Sequence, residues 1–344
     1  MNLLNHLICF HRGGVKLIYK QRSIPKKLIG LNALIPRLHP SHNDMYRIEE
    51  DLRIRKAGYG GEQHLDKHML EFKPPYPHAI LHDVCLKQNG VYFQMDSILI
   101  TPAFLLIIEV KNYAGKIIVK SNPTQFIQVS PTGERKVLKN PIAELDRKQI
   151  FLTQWLQQRK IELPISGIVA FAYTNELVFE NVPETKLTFT NELPSYLYSL
   201  PIQKEIISKA TIRKLATELR NNHQEYNPFP LTKLMNISST DILPGVICPT
   251  CNARGMQWKQ RKWSCQKCKH TGSNYHVTAL TDWIYLIDNR ITNKEFRNFT
   301  LLNDRHVTKR FLARSGLKHV GKSKGSFYIT NEKTNKHDSA LHEQ

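Results

Sequence analysis

The sequence predicts an α/β fold, in which helices flank a mixed central β-sheet, followed by a small cysteine-rich module and a basic helical segment. Three observations support this fold class. Hydrophobic residues make up 41% of the 344 residues, which is enough to build a buried core. Helical and strand-like patterns alternate between residues 58 and 221, as they do in α/β domains. Two Cys-x-x-Cys pairs follow in the C-terminal third.

The helices of the α/β region are predicted from the residues at their ends. A helical pattern opens at the glycine cluster of residues 58–61 and runs to about Phe72, where prolines stop it. A second helix begins at Asn140-Pro141, since Asn caps helices and Pro suits the first helical position. A third covers residues 204–221. Five apolar runs predict strands, at residues 79–86, 91–101, 104–111, 165–173 and 187–190.

Changes in composition divide the chain into five predicted segments. The first is a basic N-terminal extension with helical patterns at residues 28–38 and 45–54. The α/β domain, a polar and proline-punctuated linker, the cysteine module and the basic helical segment follow it. The predicted boundaries are 1–57, 58–221, 222–244, 245–275 and 280–330.

The charge balance indicates a polyanionic partner. The chain has 49 Lys and Arg against 29 Asp and Glu, a formal net charge of +20. From Asp241 to Gln344, 18 basic and 8 acidic residues give +10, half of the excess. Basic surfaces bind nucleic acid because neutralised phosphates release counterions. An anionic membrane surface is the second candidate partner, and a basic surface that binds nothing is the third interpretation.

The sequence also predicts the compartment. It has no run of about 18 apolar residues, so no transmembrane helix is expected. Its first residues lack the basic start and long apolar run of a signal peptide. Four of six cysteines form the two Cys-x-x-Cys pairs, and Cys9 and Cys85 are left over. Unpaired thiols fit a reducing environment, so we expect a cytoplasmic protein.

Two neighbouring strands carry ionisable residues among apolar ones. Asp96 lies in the second strand-like run, and Glu109 and Lys111 end the third. If the strands form a hairpin around Pro102-Ala103, residues whose numbers sum to 205 are opposed. Asp96 then faces Glu109, and Gln94 faces Lys111. Opposed carboxylates repel, and a divalent cation such as Mg²⁺ relieves the repulsion.

Lys111 shares a strand face with Glu109, because side chains alternate along a strand. There it can position a water or neutralise charge that develops on phosphate. The alternative interpretation is a carboxylate–lysine ion pair at the rim of a sheet. Glu62 lies near the start of the helix that is predicted to open at the glycine cluster. The helix dipole favours an acidic residue at such a position.

These residues resemble the nuclease-related domain, or NERD domain, a branch of the PD-(D/E)XK restriction-endonuclease-like superfamily. The resemblance covers about residues 58–160. Its most specific piece is the run from Glu109 to Gly115, which reads Glu-Val-Lys-Asn-Tyr-Ala-Gly. The other matching pieces are Gly60-Gly61-Glu62, Gln94-Met95-Asp96 and Asn140-Pro141.

The resemblance implies a restriction-endonuclease-like mixed sheet and hydrolysis of phosphodiester bonds with Mg²⁺ or Mn²⁺. It implies that Asp96 and Glu109 bind the metal, that Lys111 is the catalytic lysine and that Glu62 completes the site. One position departs from the family, which often has Gln where this chain has Glu144. The nearby Gln149 is a candidate replacement. Arg147 and Lys148 either contact phosphate or form a solvated face.

The cysteine spacing predicts a structural zinc site. Thirteen residues separate the two Cys-x-x-Cys pairs, a spacing typical of a zinc ribbon with four thiolate ligands. The ligands are Cys248, Cys251, Cys265 and Cys268. The basic residues Lys259, Arg261 and Lys262 lie between the pairs, beside Trp258 and Trp263. This pattern suits phosphate contact and base stacking. The alternative is a ribbon that only packs on its neighbour, with Trp263 in the core.

The last segment predicts two helices, at residues 282–288 and from Ile291, and then a third, basic helix from Asp304 to Arg314. A glycine- and lysine-rich stretch and a strand at residues 326–329 follow. This is the pattern of a winged helix-turn-helix, whose basic helix enters a groove of DNA. The alternative is a small helical cap with a solvated basic face. The candidate contacts to nucleic acid on the basic helix are Arg305, Lys309 and Arg310.

The sequence therefore favours a metal-dependent nuclease that acts on DNA, with the ribbon and basic segment holding nucleic acid. A catalytically silent DNA-binding protein on the same fold is a second hypothesis. A nuclease directed at RNA is a third. Target, cleavage pattern, pathway, oligomeric state and the role of residues 1–57 are not determined by the sequence.

Overall fold

The fold is taken from a computed structural model, which describes residues 18–121, 123–202, 204–227, 229–323 and 325–330. Its helices are α1 (Lys26–Leu34), α2 (Met45–Met69), α3 (Pro141–Gln157), α4 (Leu193–Ser199), α5 (Lys209–Asn221), α6 (Leu231–Met235), α7 (Tyr275–Leu286), α8 (Asn293–Thr300) and α9 (Arg305–Ala313). Its strands are β1 (Ile18–Lys20), β2 (Ala79–Gln88), β3 (Val91–Ile100), β4 (Leu105–Lys111), β5 (Lys116–Ser121), β6 (Thr124–Val129), β7 (Arg135–Leu138), β8 (Ile165–Phe171), β9 (Glu176–Phe179), β10 (Lys186–Phe189), β11 (Gln257–Lys259), β12 (Lys262–Ser264), β13 (Thr271–Gly272), β14 (Arg290–Ile291), β15 (Lys318–Val320) and β16 (Phe327–Ile329).

The described residues form two units. Unit one contains residues 18–23 and Lys56–Tyr226, and unit two contains Ile24–Arg55 and residues 227–330. The predicted N-terminal extension is thus divided, and its residues 24–55 pack within unit two. Residues 1–17 lie outside the described residues. They include Cys9 and the first residues, for which the sequence predicts no signal peptide.

Unit one is built on a mixed sheet with strand order β1-β2-β3-β4-β8-β10. The three predicted strands before residue 112 are antiparallel neighbours, and β4, β8 and β10 are parallel. Parallel neighbours require crossovers, which helices supply on the faces of the sheet. The mixed α/β architecture with flanking helices is confirmed.

Alternate side chains of the sheet enter two different cores. On β4, Leu105 and Ile107 join a core with α3 and α5, while Leu106 and Ile108 join another with α2 and α4. This follows from the period of two along a strand. Because Glu109 continues the odd-numbered series, it shares the face of the sheet that α3 covers.

A second sheet, of order β7-β6-β5-β9, was not predicted. Its residues Ile117, Val119 and Phe126 are fully buried in the core on the α3 side. Its strands are short, at four to six residues, and none of them contains a long run of apolar residues. Helix α2 also differs from the prediction, since it begins at Met45 and runs through the glycine cluster without interruption.

Unit two joins α1, α6 and the C-terminal elements. The small sheet β11-β12-β13 carries the cysteine pairs, and β14-β16-β15 follows among α7, α8 and α9. The stretch predicted as a linker contains α6, whose Leu231 is fully buried. Arg37, also fully buried, donates to Asp282 of α7 at 2.7 Å and to the Gly245 carbonyl at 3.0 Å.

Candidate functional site

Glu109 and Lys111 meet two side chains of α3. Lys111 Nζ lies 2.9 Å from Glu109 Oε1 and 2.6 Å from Glu144 Oε2. Lys148 donates a short hydrogen bond to the other Glu109 oxygen, Oε2. Glu144 and Lys148 are four residues apart and therefore face the sheet together. The Glu109 carboxylate is buried, at 2% exposure of the residue, and is bonded by both lysines.

The start of α3 fixes this contact. Asn140 caps the helix by accepting hydrogen bonds from the amides of Ile142 and Ala143, with Pro141 at the first position, as predicted. The apolar residues Leu145 and Leu152 are fully buried against the sheet. The residue that departs from the family, Glu144, is thereby held against Lys111. Gln149, the candidate replacement, lies instead along a surface cavity with Asp146 and Ile150.

The predicted register of β3 and β4 is confirmed for four pairs, from Ile100–Leu105 to Ser97–Ile108, whose numbers all sum to 205. The ladder ends there. Direct opposition of Asp96 to Glu109 and of Gln94 to Lys111 is not part of the described pairing. Instead, the Asp96 carboxylate accepts a hydrogen bond from the Val110 amide at 2.8 Å.

The sheet is also irregular between β2 and β3. The numbers of the residues that pair between these two strands sum to 179. Asp83 and Asp96 would be partners in this register, but they are not paired. Asp83 has a φ of +54°, which interrupts the extended strand. The apolar side changes phase at this point, since Leu81 and Val84 enter the same core. Backbone irregularities of this kind are common beside functional sites.

Glu62 is held near this break by an arginine that sequence reasoning missed. Arg22 Nη1 lies 2.9 Å from Glu62 Oε2, and Arg22 Nε lies 2.8 Å from Asp66 Oδ2. The same guanidinium donates to the Asp96 carbonyl at 2.8 Å. Its side chain is 3% exposed. Arg22 stands 40 residues before Glu62, in a stretch without a motif, so only the tertiary fold connects them.

Burial and repulsion by Asp96 raise the pKa values of Glu62 and Glu109. Burial, with the nearby Asp96 as the second cause, raises the pKa of Glu62 to about 8, against the opposing effect of Arg22. Burial and Asp96 also raise the pKa of Glu109, although Lys148 and Lys111 oppose this. For Lys111, burial is outweighed by Glu109 and Glu144, which raise its pKa.

The chemistry of this donor set fits a hard divalent cation. The Asp96 carboxyl group lies close enough to Glu62 and to Glu109 to raise the pKa of each, in a largely buried environment. A divalent cation prefers oxygen ligands and removes this repulsion. The carboxylates are not gathered into one ligand sphere: among the described residues, only the four cysteines are grouped closely enough to hold an ion.

The cysteine cluster is well formed. All four sulfur atoms lie within 4.8 Å of one another. The two Cys-x-x-Cys turns have the same backbone hydrogen bond. The amide of Asn252 bonds the Cys248 carbonyl at 2.9 Å, and that of Lys269 bonds the Cys265 carbonyl at 3.1 Å. Both residues after the second cysteines have positive φ. Four thiols in this arrangement could bind zinc and would leave no open position on it.

The predicted basic contacts are at the surface. The side chains of Lys259, Arg261 and Lys262 lie at the end of the β11–β12 hairpin, and those of Arg305, Lys309 and Arg310 lie along α9. Trp263 is fully buried among the cysteines and α9, so it belongs to the core. Trp258 is half-buried and contacts Phe311 edge to face, with 4.9 Å between ring centroids.

Among the described residues, no helix is both long and apolar enough to cross a membrane. The comparison with curated proteins and the comparison with solved structures each find no match. A family model does match. It is the model of the nuclease-related domain, and it matches residues 57–172, from the middle of α2 to the residue after β8. This segment carries Glu62, Asp96, Glu109 and Lys111 together with Glu144 and Lys148. This is the family that the sequence motifs resemble, and the match covers residues 57–172 of the 344.

Proposed function

We propose that this protein is a Mg²⁺- or Mn²⁺-dependent nuclease that hydrolyses phosphodiester bonds of DNA. Its active site would contain Glu62, Asp96, Glu109 and Lys111 on a restriction-endonuclease-like sheet. The observation that carries the proposal is the group of carboxylates and lysines around the buried Asp96 and Glu109 at the break in this sheet. It lies within the segment that matches the nuclease-related domain.

Asp96 and Glu109 would hold the metal, with Glu62 completing the acidic group. Their pKa pattern supports this, because each raised pKa has a neighbouring carboxylate among its causes. When bound, a divalent ion polarises a phosphoryl oxygen and lowers the pKa of a coordinated water. Lys111 would stabilise the negative charge that develops on the scissile phosphate, a role that needs a lysine kept protonated by its neighbours.

Lys148 is an addition to this site. In the present arrangement it neutralises Glu109 from the side of α3, opposite to Lys111. The two ammonium groups offset the cost of burying the Glu109 carboxylate. A metal on Glu109 would compete with Lys148 for the same oxygen, and a displaced Lys148 would be available to contact phosphate.

The C-terminal elements would hold the nucleic acid. We propose that residues 245–275 are a zinc ribbon and that residues 280–330 are a winged helix-turn-helix, connected through residues 222–244 to an α/β domain at 58–221. Helices α8 and α9 are joined by a short turn, and β15 and β16 follow as a hairpin. Asp304 caps α9, and the exposed basic residues of α9 have no ion-pair partner among the described residues.

A catalytically silent DNA-binding protein is the second candidate function. The contacts that favour it are the two ion pairs of Glu109, one with Lys111 and one with Lys148. Both lysines would compete with a metal for this carboxylate. An RNA-directed nuclease is the third, since phosphate contacts do not distinguish the sugar. The four cysteine thiols and the buried Cys85 thiol suit a reducing, cytoplasmic location.

The test is nicking of supercoiled plasmid by the full chain with Mg²⁺, Mn²⁺ or a chelator. Glu109→Ala and Lys111→Ala are compared with Lys116→Ala, which removes an exposed lysine of the same domain that pairs with Glu176. We expect metal-dependent nicking that the first two variants lose at least about a hundredfold and the third retains. Salt-sensitive binding without nicking by the wild type would favour the silent protein. Equal nicking by all variants would refute the site, and competition with RNA separates the third candidate.

A further inference from the structure

We propose that unit two contains a separate binding site for one unpaired nucleotide, in the cavity between the cysteine-rich ribbon and α9. The site rests on the proposed function in one respect, the choice of nucleic acid as partner. It adds a specific structure, a single-stranded end or an unpaired base, that the cavity recognises. The cavity has a volume of about 570 Å³, within the range of small-ligand sites.

The walls of this cavity combine aromatic rings and arginines. His276 stacks on Phe311 with 3.6 Å between ring centroids and 11° between the planes. Trp258 meets the same phenyl ring edge to face. Aromatic side chains that border a binding site stack with unpaired bases of any identity. The residues that carry the argument are Trp258, Arg261, His276, Arg310, Phe311 and Arg314.

The charge of the cavity selects an anionic ligand. Arg310 of α9 and Arg314, the residue that follows α9, border it on one side, while Arg261 borders it from the ribbon. No carboxylate lines the cavity, and none of the three arginines forms an ion pair within the described part of the chain. Guanidinium groups bind phosphate through paired hydrogen bonds. A nucleotide satisfies both features of the cavity, because its phosphate can contact the arginines and its base can stack on the aromatic rings.

The turn that carries Arg261 supplies an independent observation. Lys259 pairs with Lys262, so Gln260 and Arg261 form a two-residue hairpin turn, with φ values of +48° and +61°. Such turns favour Asn and Gly, because other residues are strained at positive φ. Strain of this kind persists where the position of a side chain serves a function. We infer that the turn keeps an arginine here to reach the ligand.

The experiment measures binding of the full chain to two DNA probes without Mg²⁺ or Mn²⁺, so that no cleavage occurs. One probe is a blunt duplex, and the other is the same duplex with a short unpaired tail containing 2-aminopurine. We expect the tail to strengthen binding about tenfold and the 2-aminopurine fluorescence to fall as the base stacks. Arg261→Gly and Arg310→Gln should each lose most of this gain.

Lys294→Gln is the matched control, since it removes an exposed positive charge from the same unit outside the cavity. It should keep the preference for the tail. Arg261→Gly should also raise the melting temperature, because Gly relieves the strained turn. A loss of binding together with a raised melting temperature would exclude misfolding as its cause. Equal binding of both probes by the wild type, or a preference that survives both arginine substitutions, would refute the site. Nicking of plasmid tests the nuclease separately, and either result there is compatible with either result here.

Discussion

Lys148 of α3 and Lys111 of β4 bond opposite oxygens of one buried carboxylate, that of Glu109. The two lysines are 37 positions apart in sequence, and each opposes the upward shift that burial and Asp96 impose on the Glu109 pKa. The ionised form of Glu109 therefore depends on a residue outside the motif that identifies the domain. This relationship makes Lys148 a measurable part of the candidate site.

Substitution Lys148→Gln should shift the pH dependence of nicking. Without the ammonium group, the pKa of Glu109 rises further, because one of the two compensating charges is lost. Activity that needs ionised Glu109 then begins at a higher pH, by about one unit. The measurement is the nicking rate across the pH range at limiting Mg²⁺, where metal binding depends on the ionised Glu109 carboxylate. Arg147→Gln, which removes the exposed neighbouring charge, should leave the position of the acidic limb unchanged. An unshifted limb in Lys148→Gln would exclude the proposed coupling.

Glu62 should make the metal-free protein less stable as the pH rises. The folded-state pKa is about 8, well above the ordinary value for Glu, so the native protein favours the protonated acid. Below about pH 4 both states are protonated and the effect is absent, whereas above about pH 8 the full cost of ionisation applies. We expect Glu62→Gln to exceed the wild type in unfolding free energy by about 2 kcal/mol near pH 9.

The measurement for Glu62 is urea denaturation at acidic and alkaline pH in a chelating buffer. The exposed Glu71→Gln, whose side chain is 63% accessible, is the control and should follow the wild type. A Glu62→Gln difference that is the same at both pH values would mean that ionisation is not the cause.

Three neighbouring glycines in α2 should respond differently to alanine. A Cβ on Gly58 or Gly60 would meet no atom within 4 Å, whereas one on Gly61 would lie 2.9 Å from Asn112 Cβ and 3.0 Å from Ala172 Cβ. Gly58→Ala and Gly60→Ala should each add about 0.5–1 kcal/mol of stability, the usual gain inside a helix. Gly61→Ala should destabilise by about 1–3 kcal/mol through overpacking. Denaturation midpoints decide this, and a stabilised Gly61→Ala would contradict the close packing of α2 on the sheet.

Zinc should be a structural component of unit two. Cys251→Ser should reduce the zinc content from about one ion per chain to near zero, because a tetrahedral thiolate site needs all four ligands. Cys85→Ser, a change at a buried thiol of unit one, should retain the zinc. Metal analysis gives the content, and the fluorescence of the buried Trp263 reports loss of the ribbon core. Full zinc content in Cys251→Ser would refute the four-cysteine site.

The sequence alone identified the parts of this protein that depend on local signals. Apolar runs predicted the strands around Asp96 and Glu109, and the Asn140-Pro141 pair predicted the start of α3. The spacing of the cysteines predicted their cluster. These signals are strong because periodicity, capping and ligand spacing act over a few residues. The register of β3 and β4, in which the numbers of paired residues sum to 205, also followed from the expectation of a tight turn between them.

Only the tertiary structure decided which distant charges meet at the site. Arg22 reaches Glu62 and the Asp96 carbonyl, and Lys148 reaches Glu109, although no motif connects them. The break in the sheet at Asp83 and Asp96 was equally absent from the residue pattern. The physical reason is that a buried carboxylate must be compensated by whichever cation the packing of helices on the sheet brings within reach. That packing is set by the whole core rather than by the residues beside the carboxylate in the chain.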